Sequence, residues 1–325
     1  NRSNAFLLVN NVKVYGGFQN ANETNINQRD TVNLNTILSG LRASEKCFHV
    51  VISAGPVGEA CIDGFIIEDG HAYYANEGSS SVDGYWVTVA HGGGIHIIES
   101  NPTIKNCEII DNRGSSGGGI YCFESPTLSI VNCRISNNLA SNGGGIYNNR
   151  SSPLIENCII SNNSTFSGGE GGGIFTTGNM AYLTIYINEI KNSVITGNTA
   201  PTGAGVFLKS RMDVRLTNCT IADNSGNGAV YSENNTYCTV GLHNTILWDN
   251  TIGLEPGSGT NSYTSFNSLI QDRNDFPDNG NLNGLDIAND PLFTDISGED
   301  FTLMPCSPAV NAGSNSEYTL MGGDL

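Results

Sequence analysis

Only 14 % of this 325-residue chain is charged, so any chemistry must come from a short roster of side chains. The cations Arg113, Arg134, Arg150, Lys209, Arg211 and Arg215 are of the type that could steady a carbanion beside a uronate and take its proton, which is lyase chemistry. Nothing in their spacing sets one apart. The position before a recurring asparagine reads Asp111, Asn137, Asn162, Gly197, Asp223 and Asp249, and Asp272 continues the column at the next interval. Oxygen ligands stacked in that way suit calcium, a hard cation, with Asp111, Asp223 and Asp249 as the candidate ligands; the plainer reading is a solvated polar edge. No organic cofactor is implied. His49, His71, His96 and His243 lack metal-ligand spacing. His91-Gly92-Gly93-Gly94 has the look of an oxyanion loop, but no Gly-x-Ser-x-Gly elbow accompanies it. Exposed aromatics are a different resource. Tyr73, Tyr74, Tyr85 and Trp86 sit close together and are suited to stacking on the apolar faces of sugar rings, or else to folding back over the protein.

Charge limits the partners. Lys+Arg 14 against Asp+Glu 31 gives a net charge of −17, which argues against a nucleic-acid partner and slows encounter with a polyuronate unless calcium intervenes. Forty glycines and 43 asparagines make poor helix material, while 38 % hydrophobic residues suffice for a core. No apolar run is long enough for a membrane helix. The opening Asn1-Arg2-Ser3 carries no apolar leader, so the expectation is that a leader has been removed or that the sequence starts after it. Nine cysteines without a Cys-x-x-Cys pair point to buried free thiols rather than a disulfide framework.

The elements that must position these groups follow from a repeat. Asn106-Cys107-Glu108-Ile109-Ile110-Asp111-Asn112, then Gly117-Gly118-Gly119-Ile120, returns at Asn132-Cys133, Asn157-Cys158, Asn192-Ser193, Asn218-Cys219, Asn244-Thr245 and Asn267-Ser268. The intervals are 26, 25, 35, 26, 26 and 23 residues. Cys107 and Ile109 alternate with Glu108 at strand period, yet Ile104 lies three residues before Cys107. Both face inward only if the chain bends at Asn106, and asparagine is well suited to a left-handed bend. The pattern therefore predicts an all-β, single-stranded right-handed parallel β-helix with an N-terminal cap and an irregular closing segment. Like residues stack on like: Asn106, Asn132, Asn157, Asn192, Asn218 and Asn244 in one ladder, Cys107, Cys133, Cys158 and Cys219 in the next. A second asparagine column, from Asn112 to Asn250, keeps step with the first. A leucine-rich solenoid shares the period but needs Leu-rich phrases and a helical or compact convex segment.

The Asn-Cys-x-Ile-x-x-Asn…Gly-Gly-Gly-Ile phrase resembles pectin-lyase-like right-handed β-helices, in particular secreted bacterial surface proteins, and the repeat pair of polymorphic outer-membrane proteins. Val14-Tyr15-Gly16-Gly17-Phe18, Gln28-Arg29-Asp30 and Thr36–Gly40 resemble the opening segment of that surface group. Asp290-Pro291-Leu292-Phe293, Asp300-Phe301-Thr302-Leu303 and Ser307–Gly313 resemble the closing segment of the choice-of-anchor Q family, whose motif from Gly323-Asp324-Leu325 runs on beyond this chain. The resemblance implies an extracellular or outer-surface protein. It carries no catalytic signature: the Asn-Thr-Asp, Asp-Asp and Gly-His-Gly phrases of pectin-degrading hydrolases do not occur.

The expected organisation is one continuous domain: residues 1–60 as cap and first coils, 61–272 as repeat body, 273–325 as closing segment. Three insertions break the period. His71–His91 holds the aromatics, Ser164–Glu170 reads as a flexible Gly/Ser turn, and Thr176–Lys191 alternates from Tyr182 to Ile187 as lengthened strand. The expected function is adhesion or binding of a polysaccharide or host or cell-surface glycan by a monomer, with His71–His91 the first place to look. A polysaccharide lyase or glycoside hydrolase, and a structural spacer, are the alternatives.

Overall fold

The computed structural model describes residues 2–314 apart from 21, 24, 43, 44, 74–77, 182, 256, 272 and 274–278. The chain winds as a right-handed parallel β-helix. Each full coil lays down one strand in each of four walls. In the best-formed coil these are Ile95–Ile98 in sheet I, Thr103–Lys105 in sheet II, Glu108–Ile110 in sheet III and Arg113–Gly114 in sheet IV. Ile120–Phe123 then starts the next coil beside Ile95–Ile98. Sheets I, II and III run from Phe6–Leu7, Lys13–Tyr15 and Ile37–Ser39 to Leu254–Glu255, Ser262–Phe266 and Leu269–Ile270. Sheet IV is shorter, from His71–Ala72 to Ser225–Asn227. No helix among the described residues is long and apolar enough to cross a membrane.

The bends are where the repeat places them. Asn106, Asn132, Asn157, Asn192, Asn218 and Asn244 all have φ between 48° and 54°. This left-handed geometry costs asparagine less than other non-glycine residues, because its short amide can bond locally. It lets Ile104 and Cys107 both face the core, where Ile104, Ile130, Ile155 and Ile190 of sheet II meet Ile109, Ile135, Ile160 and Ile195 of sheet III. Asp111, Asn137, Asn162, Gly197, Asp223 and Asp249 form a second left-handed bend, with φ between 53° and 62°. The recurrence of Asp, Asn and Gly in that column thus has a backbone cause.

Two asparagine ladders bond along the axis, in opposite senses. In the first, the Asn132 amide donates to Asn106 (3.1 Å), Asn218 to Asn192 (3.1 Å) and Asn244 to Asn218 (3.0 Å). In the second, Nδ2 of Asn112, Asn138, Asn163, Asn198 and Asn224 each donates to Oδ1 of the next rung, at 3.0–3.1 Å. The second ladder is buried throughout and takes up backbone groups that the tight III-to-IV corner leaves without a partner in a sheet. Between sheets IV and I the Gly-Gly-Gly run turns sharply. A Cβ on Gly118 or Gly119 would lie 2.6–2.7 Å from a carbonyl oxygen of the next coil.

The thiol column is buried as expected for Cys107, Cys133, Cys158 and Cys219; of all nine cysteines, Cys306 alone is exposed. The insertions take their expected forms only in part. Ser164–Glu170 is a strand of sheet IV, not a free turn. It pairs Thr165 with Ala140 and Glu170 with Asn142, and the residues between bulge outward. In the third insertion the strand is lengthened as expected, Tyr186–Lys191 against Leu154–Glu156 in the coil before; Tyr182 lies outside the described residues. The first insertion closes as an antiparallel hairpin, Ser79–Val82 with Tyr85–Thr88. Asp83 and Gly84 turn it with φ of 49° and 87°, the Asp-Gly turn whose twist matches paired strands.

Candidate functional site

The hairpin separates the aromatics that sequence proximity had grouped. Neighbouring residues on a strand point to opposite faces, so Tyr85 lies against Gly55, where a Cβ would stand 2.2 Å from its ring, while Trp86 points out and is 69 % exposed. Tyr73 packs on Phe166 with ring centres 4.8 Å apart. Tyr74 lies outside the described residues. Tyr73, Tyr85 and Trp86 therefore do not pave one shared platform. A different aromatic row is present: Tyr121, Tyr147, Phe175, Phe207 and Tyr231 stack at 4.5–5.5 Å along sheet I, on the face opposite the core. Its signal was the aromatic residue following the Gly-Gly-Gly-Ile phrase. Neighbouring rings and the glycine turns cover it, which suits it to stiffening the coil rather than to contact with ligand.

The acidic column does not converge. Asp111 is separated from Asp223 by the rungs of Asn137, Asn162 and Gly197, and Asp272 lies outside the described residues. Asp223 has its carboxyl pKa raised by burial and by the charges of Asp249 and Glu299. Among the described residues no group of three or more His, Cys, Asp or Glu side chains is placed to hold a metal. Most of the candidate cations are already engaged. Arg134 pairs with Glu299 (3.3 Å), Arg150 with Glu124 (3.0 Å), Lys209 with Glu233 (2.8 Å) and Arg215 with Asp213 (2.9 Å). Arg211 lies over the Tyr237 ring, and Arg113 lies against Tyr73 and Phe166.

A row of hollows lies elsewhere, on the outer face of sheet III, and both flanking segments build it. The floor is the row of first residues of its strands, Glu108, Arg134, Ile159, Val194, Thr220 and Ile246, one per coil. Near the N-terminal end, Thr31, Val32 and Leu34 overhang Asn106, Glu108, Asn132, Arg134, Asn157 and Ile159, enclosing about 430 Å³. Arg134 and Ile159 also belong to the next hollow, of about 360 Å³, walled by Glu299, Asp300, Phe301 and Thr302. Thr220 links that hollow to a third, of about 270 Å³, under Leu303, Ala309, Ala312 and Gly313. From Glu108 to Ile246 the floor spans five coil steps, roughly 24 Å at the spacing of paired strands.

The walls are fixed by specific contacts. Arg29 forms an ion pair with Asp63 at 3.1 Å, and both side chains are 8 % exposed; Arg29 also donates to the carbonyls of Gly16 and Asp63. The Asp30 carboxylate accepts from the amides of Val32 and Asn33, which shapes the overhang. On the other side Asn162 donates to Glu299 (2.6 Å), and the Asn244 amide exchanges two bonds with the Ser314 backbone. Since Glu299 pairs with Arg134, the one basic residue on the floor is neutralised where it stands. What remains is a trough of amides, hydroxyls and short apolar patches, with the carboxylates of Glu108 and Asp300 to turn anions away. That surface suits a neutral polyhydroxylated chain, with apolar patches for its C–H faces and polar groups to orient it. The sequence did not show it, because the closing segment folds back to meet Arg134 and Asn162, 165 and 137 residues before Glu299.

Residues 50–200 match a family model described as right handed beta helix region. Among solved structures, one titled crystal structure of pectate lyase Pel9A is similar, with a TM-score of 0.50 at 13 % identity, over 82 % of this chain and 68 % of that one. None of the curated proteins matches the sequence. Coil geometry, matched region and structural likeness agree on one architecture, and the chain is a right-handed parallel β-helix.

Proposed function

We propose that the protein is a glycan-binding protein of the extracellular space or outer cell surface, which lays a linear, uncharged saccharide along the trough of sheet III. The observation that supports this reading most is the continuity of the trough: Arg134 and Ile159 belong to its first two hollows, and Thr220 joins the second to the third. A chain of sugars running parallel to the helix axis would meet a fresh rung of side chains at each coil. Adhesion follows if that saccharide belongs to a neighbouring cell or matrix. The resemblance of both flanks to bacterial surface proteins supports the location.

The test is binding of the whole chain to an array of linear neutral oligosaccharides. Ile159 is 40 % exposed at the junction of two hollows, so Ile159→Arg should fill both without disturbing the core. Binding by wild type and by Trp86→Ala, with loss in Ile159→Arg, is the expected result. If wild type captures nothing, or Ile159→Arg binds as wild type does, the trough is not the site.

A further inference from the structure

We propose that Arg113, Tyr73 and Phe166 form a second binding site, independent of the trough, which receives a carboxylate or sulfate group borne on a saccharide. Arg113 stands on sheet IV, in register with His71 on one side and Leu139 on the other. Two insertions far apart in the sequence close on it, Tyr73 from the first and Phe166 from the bulge of the second. The guanidinium carbon lies 4.4 Å from the Tyr73 ring centre and 4.7 Å from that of Phe166, and the two rings are 4.8 Å apart. Aromatic faces hold a cation in place without neutralising it.

Among the described residues Arg113 has no carboxylate partner, a lack it shares with Lys105 and Arg211; what marks it is the pair of rings that holds it, where Arg211 has one. Arg29, Lys46, Arg134, Arg150, Lys191, Lys209 and Arg215 all have carboxylate partners. Arg113 has no hydrogen-bond acceptor among the described residues, and its Nε is sealed from solvent with none. A guanidinium carries five donors and cannot shed its charge, so an oriented and unpaired one is suited to take an oxyanion through its terminal fork. The pKa of His71 is lowered, first by burial and then by the charges of Arg113, Arg2 and Lys46. Tyr73 is 37 % exposed, leaving ring surface for the C–H face of the sugar that bears the anion.

The experiment is calorimetric titration of the whole chain at low salt with a sulfated tetrasaccharide, a uronate tetrasaccharide, a neutral tetrasaccharide and sodium sulfate. At least one acidic saccharide is expected to bind more tightly than the neutral one and than sulfate alone; which of the two binds identifies the anion. Arg113→Gln should weaken that binding by roughly tenfold or more, the loss expected for a charged hydrogen-bonding partner. Arg113→Lys, which keeps the charge but not the planar fork, should fall between. Arg211→Gln, at an arginine with a single ring beside it, should bind as wild type does. Unchanged binding by Arg113→Gln, failure of both acidic saccharides, or equal binding of the neutral one would overturn the proposal, whatever the trough does.

Discussion

Removing one rung of the buried ladder isolates what it contributes. The Asn163 side chain is fully buried and makes four hydrogen bonds. Nδ2 donates to the Ile135 carbonyl (2.8 Å) and to Asn198 Oδ1 (3.0 Å), while Oδ1 accepts from the Asn138 backbone N–H (3.1 Å) and from Asn138 Nδ2 (3.0 Å). In Asn163→Ala the Asn138 side chain keeps its bond to Ile109, but the buried Asn138 N–H loses its acceptor. One orphaned backbone donor plus the remaining lost bonds sums to about 4 kcal/mol. Asn163 is not itself at a left-handed bend, so alanine introduces no backbone strain there. The control is Asn132→Gly in the outer ladder. Glycine keeps the bend that Asn132 makes at φ 53° and deletes an amide whose bond to Asn106 is exposed, so water can replace it at a cost below about 1 kcal/mol. Urea unfolding of both variants and wild type, followed by circular dichroism, measures the difference, and amide exchange at Asn138 reports the orphan directly. Equal midpoints for the two variants, or a loss below about 1.5 kcal/mol in Asn163→Ala, would refute the account of the buried ladder as the principal polar fastening of the coil.

Other outcomes follow from single features. His49 is fully buried, donates through Nδ1 to the Gly92 carbonyl and lies edge-on to His96; burial lowers its pKa to about 4. Because the folded value lies below the unfolded 6.5, its contribution is intact above pH 6.5 and is lost as pH falls toward 4, by about 3 kcal/mol in all. Melting temperature against pH should fall through that window for wild type and less steeply for His49→Gln. A thiol reagent should titrate Cys306 alone in the native protein and all nine cysteines in denaturant, since burial holds Cys219 up at about 12; several fast-reacting native thiols would contradict the packed column. Arg29→Ala leaves Asp63 buried without its cation, which costs about 3–5 kcal/mol, and should make residues 26–36 sensitive to protease before the coils unfold.

The coil was legible because its constraints are local and repeat. An asparagine that must bend, an isoleucine two residues beyond the next inward cysteine, and glycines where a Cβ would strike the neighbouring coil recur at one spacing, so each copy supports the reading of the others. Even the Asp, Asn and Gly column was visible, although its cause is backbone geometry at a second bend. Asp83-Gly84 is a hairpin-turn pair that the sequence reading passed over, and it decides that Tyr85 and Trp86 face apart.

Nothing in the repeat says where a flank or an insertion will lie once the coil exists. Thr31–Leu34 and Glu299–Thr302 reach the same face of sheet III from opposite ends of the chain, through the Arg29–Asp63 and Arg134–Glu299 pairs. Tyr73 and Phe166 meet over Arg113 because sheet IV sets strands from separate coils side by side. The sequence by itself determined the coil, since each step is set by neighbours along the chain and one period away. Only the tertiary structure decided the trough and the aromatic corner, since both depend on contacts between segments that share no period.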